Sequence, residues 1–116
     1  MKRNVVKEKS FAFALRIVKL ARWLEKEQRE FVLSRQVLRS GTAIGALVRE
    51  AEHGQSKADF TSKMSIALKE ANETEYWIEL LHQSGLIDDA SHASLHPEAE
   101  ELIKLLVAIV KTSKAQ

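Results

Sequence analysis

Two Glu-x-x-His pairs are the residues of this sequence whose types and spacing could most readily perform chemistry. They are Glu50 with His53 and Glu79 with His82. Carboxylate-bridged di-metal bundles use this pair on two helices, with one inward-facing Glu from each of the other two. At about 100° per helical residue, however, Glu50 and Glu79 lie about 100° from the apolar seams of their segments. The sequence therefore predicts no metal site and no cofactor.

Other catalytic patterns are missing as well. The chain has no cysteine, which removes thiolate ligands and cysteine nucleophiles. It has no glycine-rich phosphate loop, because Gly41 and Gly45 lie inside a helical pattern and are typical of close-packing positions. Serine and histidine occur without the strand–turn–helix context that raises a nucleophile. We predict a protein that is not an enzyme and has no small-molecule substrate.

Charge is divided unevenly along the chain. Residues 1–69 hold 15 Lys/Arg against 7 Asp/Glu, whereas residues 70–103 hold 9 Asp/Glu and no Lys or Arg. Basic residues with an interleaved Trp23 suit a phosphate backbone and a stacked base. Alternatively, basic and acidic faces of neighbouring copies could meet, or the charges could only solvate helix faces. The candidate nucleic-acid-binding residues are Arg16, Lys19, Arg22, Arg35 and Arg39.

Apolar spacing predicts four helices, over about 10–27, 35–53, 57–83 and 97–112. Ser34 and Ser56 are predicted N-caps, and Gly54 and Gly85 are predicted C-terminal caps. Proline cannot donate a helical hydrogen bond, so we expect a short turn over about 89–94, before Pro97.

The third helical segment has a 3.5-residue apolar repeat, which is typical of left-handed helix packing. Four amphipathic helices with short joints predict an all-α protein: an up-down-up-down, left-handed, antiparallel four-helix bundle. A chain of 116 residues fits one domain, 1–116. It has no apolar run of membrane-spanning length and no signal-peptide core, so we expect a cytoplasmic protein without a membrane partner.

Apolar side chains remain after one core has been built. On the third helix they lie roughly 100–160° from the seam, and on the fourth the apolar arc spans about 200°, twice what one core contact needs. Such a surplus is typical of self-association, although the residues could also lie under neighbouring helices. The predicted oligomer interface contains Ile66, Trp77, Leu80, Val107 and Val110.

The stretch from Arg39 to Ile87 (RSGTAIGALVREAEHGQSKADFTSKMSIALKEANETEYWIELLHQSGLI) closely resembles bacterial four-helix-bundle proteins associated with intervening sequences in 23S ribosomal RNA genes. Helices one and four resemble them more loosely. The resemblance implies a homo-oligomeric ring, often a pentamer, with no enzymatic activity and an unknown role. The accessory variability protein of diversity-generating retroelements, which has a basic surface and acts with nucleic acid, is similar in fold.

Three polar positions of that family match Arg39, Glu50 and Glu73 of this chain. We interpret them as candidates for buried or interfacial charge pairing, which can set helix register without adding much stability. The chain departs from the family pattern at Leu47 and Ala51, where Asn and Gly are usual. Two hypotheses follow: a homo-oligomeric, pentameric scaffold, or an accessory protein that binds RNA or DNA through its basic surface.

Overall fold

The computed structural model describes residues 4–116, so residues 1–3 of the predicted domain lie outside the described part. Four α-helices follow one another: α1 (Val5–Glu27), α2 (Val32–Glu52), α3 (Lys57–Gln83) and α4 (Asp89–Ala115). Each helix packs against the next, and α1 also packs against α4. Between residues 4 and 116 there is no strand, which confirms the all-α class and is consistent with a bundle. None of the four helices is both long and apolar enough to cross a membrane.

The core consists of the apolar seams that the spacing predicts. Phe13, Ile17 and Leu24 of α1 are buried, and α2 contributes Val37, Ile44 and Val48 to the same cluster. The later helices add Met64, Ala67, Ala71, Ile78, Leu81, Leu95, Ala99, Leu102 and Leu106. Alternating steps of three and four residues keep each set on one face of its helix, where water is excluded.

Helices α1 and α2 begin earlier than predicted. In α1, Asn4 caps the helix by accepting from the Lys7 amide at 3.1 Å. In α2 the predicted cap was wrong, because Ser34 lies inside the helix and donates to Glu25 at 3.0 Å. The carboxylate of Glu30 accepts instead from the amides of Val32 and Leu33, at 2.7 Å each. A carboxylate two residues upstream thus satisfies free first-turn amides and complements the helix dipole.

The predicted caps of α3 are confirmed at both ends. Ser56 accepts from the Asp59 amide at 3.0 Å, and Gly85, with φ of +81°, follows the last turn. The expectation for Gly54 was wrong, because Gly85 is the one glycine with positive φ between residues 4 and 116. The turn after α2 therefore closes without a left-handed glycine.

Helix α4 starts at Asp89 and continues through Pro97, so the predicted turn over 89–94 was wrong. Asp88 caps the helix by accepting from the Ser91 amide at 2.8 Å. Proline at this position removes one hydrogen bond. The turns before Pro97 are held by side chains instead, since Arg16 donates to the Ser94 carbonyl at 3.2 Å and His92 contacts Glu79 at 2.5 Å.

Side-chain contacts join the beginning of one helix to the end of a neighbour. Lys7 near the start of α1 pairs with Glu52 at the end of α2, at 2.9 Å. Thr61 near the start of α3 hydrogen-bonds Ser113 at the end of α4. At the opposite end of the molecule, His82 of α3 contacts Asp89 of α4 at 2.7 Å.

Candidate functional site

A charged cluster links α2 to α3. Arg39 donates to Glu70 at 3.2 Å and also pairs with Glu73. The indole Nε1 of Trp77 donates to the same Glu73 carboxylate at 3.0 Å. The structure therefore brings together two of the three predicted charge-pairing residues, Arg39 and Glu73. The third, Glu50, is exposed and forms no ion pair within residues 4–116.

The Trp77 indole lowers the pKa of Glu73 below its ordinary value of 4.5, with a further contribution from Arg39, while partial burial opposes both. Conversely, the pKa of Arg39 is raised, chiefly by its hydrogen bond to Glu73. A carboxylate with a lowered folded-state pKa stabilises the fold above its unfolded-state pKa. That stabilisation is lost as pH falls through the folded-state value.

We therefore expect Glu73→Gln to reduce the acid sensitivity of the protein. The free energy of unfolding should differ between wild type and variant by a constant amount at neutral pH, and the difference should shrink below the ordinary pKa of 4.5. Urea titrations at fixed protein concentration over a pH series measure this difference in the free energy of unfolding. Glu50→Gln is the matched control, because it removes an exposed carboxylate that forms no ion pair within residues 4–116. Equal behaviour of the two variants would contradict the assignment.

The predicted interface residues occupy different surroundings. Ile66 and Leu80 are 40% and 36% exposed, and with half-buried Trp77 they form what we term the α3 surface, on the flank of α3 that bears Glu70 and Glu73. Val107 is 38% exposed on α4, and we term the surface around it the α4 surface.

Helical spacing places Val107 on the flank of α4 that bears His96 and Glu100. Exposed Lys69 and Asn72 lie on α3 between the two surfaces. Val110 is only 8% exposed and belongs to the core of this chain. Packing inside the subunit therefore explains why Val110 is apolar, without a contact to another copy.

An apolar patch on α1 was not predicted. Phe11 and Leu15 of α1 are 50% and 52% exposed, and the guanidinium of Arg49 lies 5.1 Å from the centre of the Phe11 ring. The i, i+4 spacing of Phe11 and Leu15 was the available signal, since at about 100° per residue both lie roughly 160° from the seam residue Phe13, on the opposite face of α1.

The five predicted basic residues do not share one surface. Arg16 faces α4, where it pairs with Glu98 at 2.5 Å and contacts Ser94. Arg39 faces α3 and is bound to Glu70 and Glu73. The remaining three form no ion pair within the part of the chain that the structure describes: Lys19, Arg22 and Arg35.

A groove of about 630 Å³ opens between α1 and α4. Arg16, Lys19 and the 41% exposed Trp23 line one wall. Its other wall contains Leu95 and the serines of the first turns of α4, Ser91 and Ser94. A cation, hydroxyl groups and an indole in one groove can together contact a phosphate and a stacked ring.

The two Glu-x-x-His pairs do not meet. Glu50 and His53 are exposed at the end of α2. Glu79 contacts His92 and His96 of α4, at 2.5 and 3.3 Å, while His82 contacts Asp89. This cluster contains an i, i+4 histidine pair, His92-x-x-x-His96, which the Glu-x-x-His spacing did not predict.

Both a family model and a solved structure match this chain. Residues 2–108 match the family model described as 23S rRNA-intervening sequence protein. A crystal structure of a protein of unknown function from the S23 ribosomal protein family of Bacteroides thetaiotaomicron VPI-5482 superposes with a TM-score of 0.90. It is 56% identical, and the match covers 91% of this chain and 98% of that one. No match is found among curated proteins.

Proposed function

Because this chain belongs to the 23S rRNA-intervening sequence protein family, we propose that it is a non-enzymatic cytoplasmic scaffold assembled from five copies of itself. One observation supports this most: large apolar side chains stay exposed although the core is complete. Exposed apolar patches mark protein–protein contacts, and self-association would remove these side chains from water. Neither the family nor its solved relative of unknown function indicates a reaction class.

The proposed subunit is an up-down-up-down, left-handed, antiparallel bundle. The contacts of Lys7 with Glu52 and of Thr61 with Ser113 join helix beginnings to helix ends, as antiparallel neighbours require. The 3.5-residue repeat of α3 supports left-handed packing.

Ring assembly needs two different surfaces on each subunit, because a cyclic, head-to-tail contact is heterologous. The α3 surface and the α4 surface meet this requirement, since a polar strip containing Lys69 and Asn72 separates them. We propose that the α3 surface of one copy packs against the α4 surface of the next.

Sedimentation velocity of the unmodified chain at micromolar concentration tests the proposal. The chain mass is 13.1 kDa, and we expect a single species with five times that mass. A monomer under these conditions would overturn the scaffold function.

The groove between α1 and α4 favours a second candidate function, binding of RNA or DNA as an accessory protein. Lys19 forms no ion pair within residues 4–116 and lies beside Trp23 in the groove. A phosphate could therefore bind Lys19 while a base stacks on the indole.

We expect Lys19→Glu to weaken RNA binding at low salt and to lower the slope of log affinity against log salt concentration by about 1, the value of one lost phosphate contact. Fluorescence anisotropy with labelled single-stranded RNA, structured RNA and duplex DNA measures both quantities. Lys111→Glu is the control, because Lys111 is exposed on the last turns of α4, away from the groove. Equal losses in both variants, or no binding by the unmodified protein, would remove this candidate.

A further inference from the structure

We propose that the facing ends of α3 and α4 form a binding site for one divalent transition-metal ion of the zinc class. The ligands are His92 and His96 of α4 with Glu79 of α3, and Glu75 contacts His96 beside them. These four residues are hereafter the His–Glu cluster. Neither the family nor the proposed scaffold function assigns such a site. The inference is independent of both.

Helix geometry explains why these four side chains converge. His92 and His96 are four residues apart on α4, and Glu75 and Glu79 are four apart on α3. Side chains at i and i+4 project from the same face of a helix. The two faces are opposed, since His96 Nε2 lies 3.2 Å from Glu75 and 3.3 Å from Glu79.

The distances suit a four-coordinate ion with three protein ligands and one solvent position, because the ligand atoms of Glu79, His92 and His96 all lie within 4.8 Å of one another. Metal–nitrogen and metal–oxygen bonds of about 2.0–2.1 Å at tetrahedral angles separate neighbouring ligand atoms by about 3.3 Å. The contact of His96 with Glu79, at 3.3 Å, already has that separation. Glu79 and His92 are 2.5 Å apart as a hydrogen-bonded pair. They would separate by roughly 0.8 Å when an ion replaces the shared proton.

Surrounding groups orient both imidazoles. The Nδ1 of His96 lies 3.3 Å from Glu100, so that Nε2 is directed towards α3. A carboxylate on the far nitrogen is the usual support of a metal-bound histidine. The ring of His92 stacks between those of His82 and His96, with centroids 4.0 and 4.9 Å away.

The donor set selects the class of ion. Two imidazoles with one carboxylate suit zinc and its transition-metal neighbours, whereas magnesium and calcium prefer oxygen ligands alone. The histidines are 19–21% exposed as side chains, so an ion can reach them from solvent. A bound ion would cross-link the end of α3 to the beginning of α4 and stabilise the turn at Gly85.

Cobalt(II) substitutes for zinc and reports on coordination, so it is the probe of choice. We expect titration of the full chain with Co²⁺ to give the intense visible absorption of a four-coordinate site. Micromolar Zn²⁺ should abolish that absorption and millimolar Mg²⁺ should not. Zn²⁺ should also raise the melting temperature.

Variants locate the ion. His96→Gln should lose the cobalt absorption, and Glu100→Gln should weaken Zn²⁺ binding by about 10–100-fold, the usual effect of removing an orienting carboxylate. His53→Gln, which changes an exposed histidine of α2 outside the cluster, should behave as wild type. If circular dichroism shows His96→Gln to be unfolded, Glu79→Gln replaces it.

Two results would overturn the proposal. The first is the absence of four-coordinate cobalt absorption in the unmodified chain, which would show that the cluster is a hydrogen-bonded network only. The second is equal Zn²⁺ affinity in His96→Gln, or its replacement, and His53→Gln, which would place the ion elsewhere. Since the mass in solution is measured separately, either failure leaves the scaffold proposal intact.

Discussion

The double variant Ile66→Glu/Leu80→Glu is expected to sediment as a dissociated chain while retaining its helix content. Both side chains are exposed in the single subunit, so the substitutions do not disturb its core. In the assembled ring each carboxylate would face apolar surface without a partner. Burying an unpaired charge costs several kcal/mol per ion, which is enough to dissociate a contact of ordinary size.

The matched control is Asn72→Glu/Gln55→Glu, which adds the same charge at exposed positions outside the α3 surface. This variant should keep the mass of the unmodified protein. An unchanged mass for Ile66→Glu/Leu80→Glu would exclude the α3 surface from the interface. Loss of assembly in both variants would instead indicate a general effect of negative charge.

Gly41→Ala adds only one methyl group but is expected to destabilise the subunit. A methyl group at Gly41 would lie 2.8 Å from both Cγ atoms of Ile17, a fully buried side chain of α1. Overpacking of this kind costs about 1–3 kcal/mol, and alanine returns at most about 1 kcal/mol through helix propensity. We therefore expect a net loss of up to about 2 kcal/mol in the free energy of unfolding, measured by urea titration.

Gly45→Ala, one helical turn further along α2, provides the control. Its added methyl group would lie 3.4 Å from the backbone of Ser10, close to ordinary contact. The gain in helix propensity should then offset the tighter fit, leaving the stability near that of the unmodified chain. Equal destabilisation by the two alanines would contradict the close α1–α2 packing at Gly41.

The apolar periodicity was sufficient to predict four helices and most of their core, because burial alone decides which face of an amphipathic helix turns inward. Phe13, Ile17 and Ile78 lie where the spacing places them. Helix ends were less predictable, since they depend on single hydrogen bonds. Glu30 replaced Ser34 as the group that satisfies the first amides of α2, and no periodicity encodes that choice.

Pro97 shows why local rules can fail inside a packed molecule. Taken alone, proline predicts a break. Contacts from other helices, to Ser94 from Arg16 and to His92 from Glu79, hold the preceding turns of α4 in place. Neither contact is visible in a one-dimensional pattern, because the partners lie far away in sequence.

The candidate sites were predicted only in part, again because their residues lie on different helices and far apart in sequence. Arg39 and Glu73 meet, as the resemblance led us to consider, but Arg16 and Arg39 turn to opposite neighbours, α4 and α3. The His–Glu cluster draws its residues from two helices. Its parts were visible in the sequence as i, i+4 pairs, whereas their convergence depends on how α3 and α4 pack.

We propose that two different surfaces of each subunit meet in a ring, and mixing two assembly-deficient variants tests this contact most directly. Ile66→Glu/Leu80→Glu retains an intact α4 surface, and Val107→Glu retains an intact α3 surface. Each alone should sediment as a monomer, and an equimolar mixture should form a heterodimer through the one remaining contact. If the mixture stays monomeric although both variants are folded, the head-to-tail ring is contradicted.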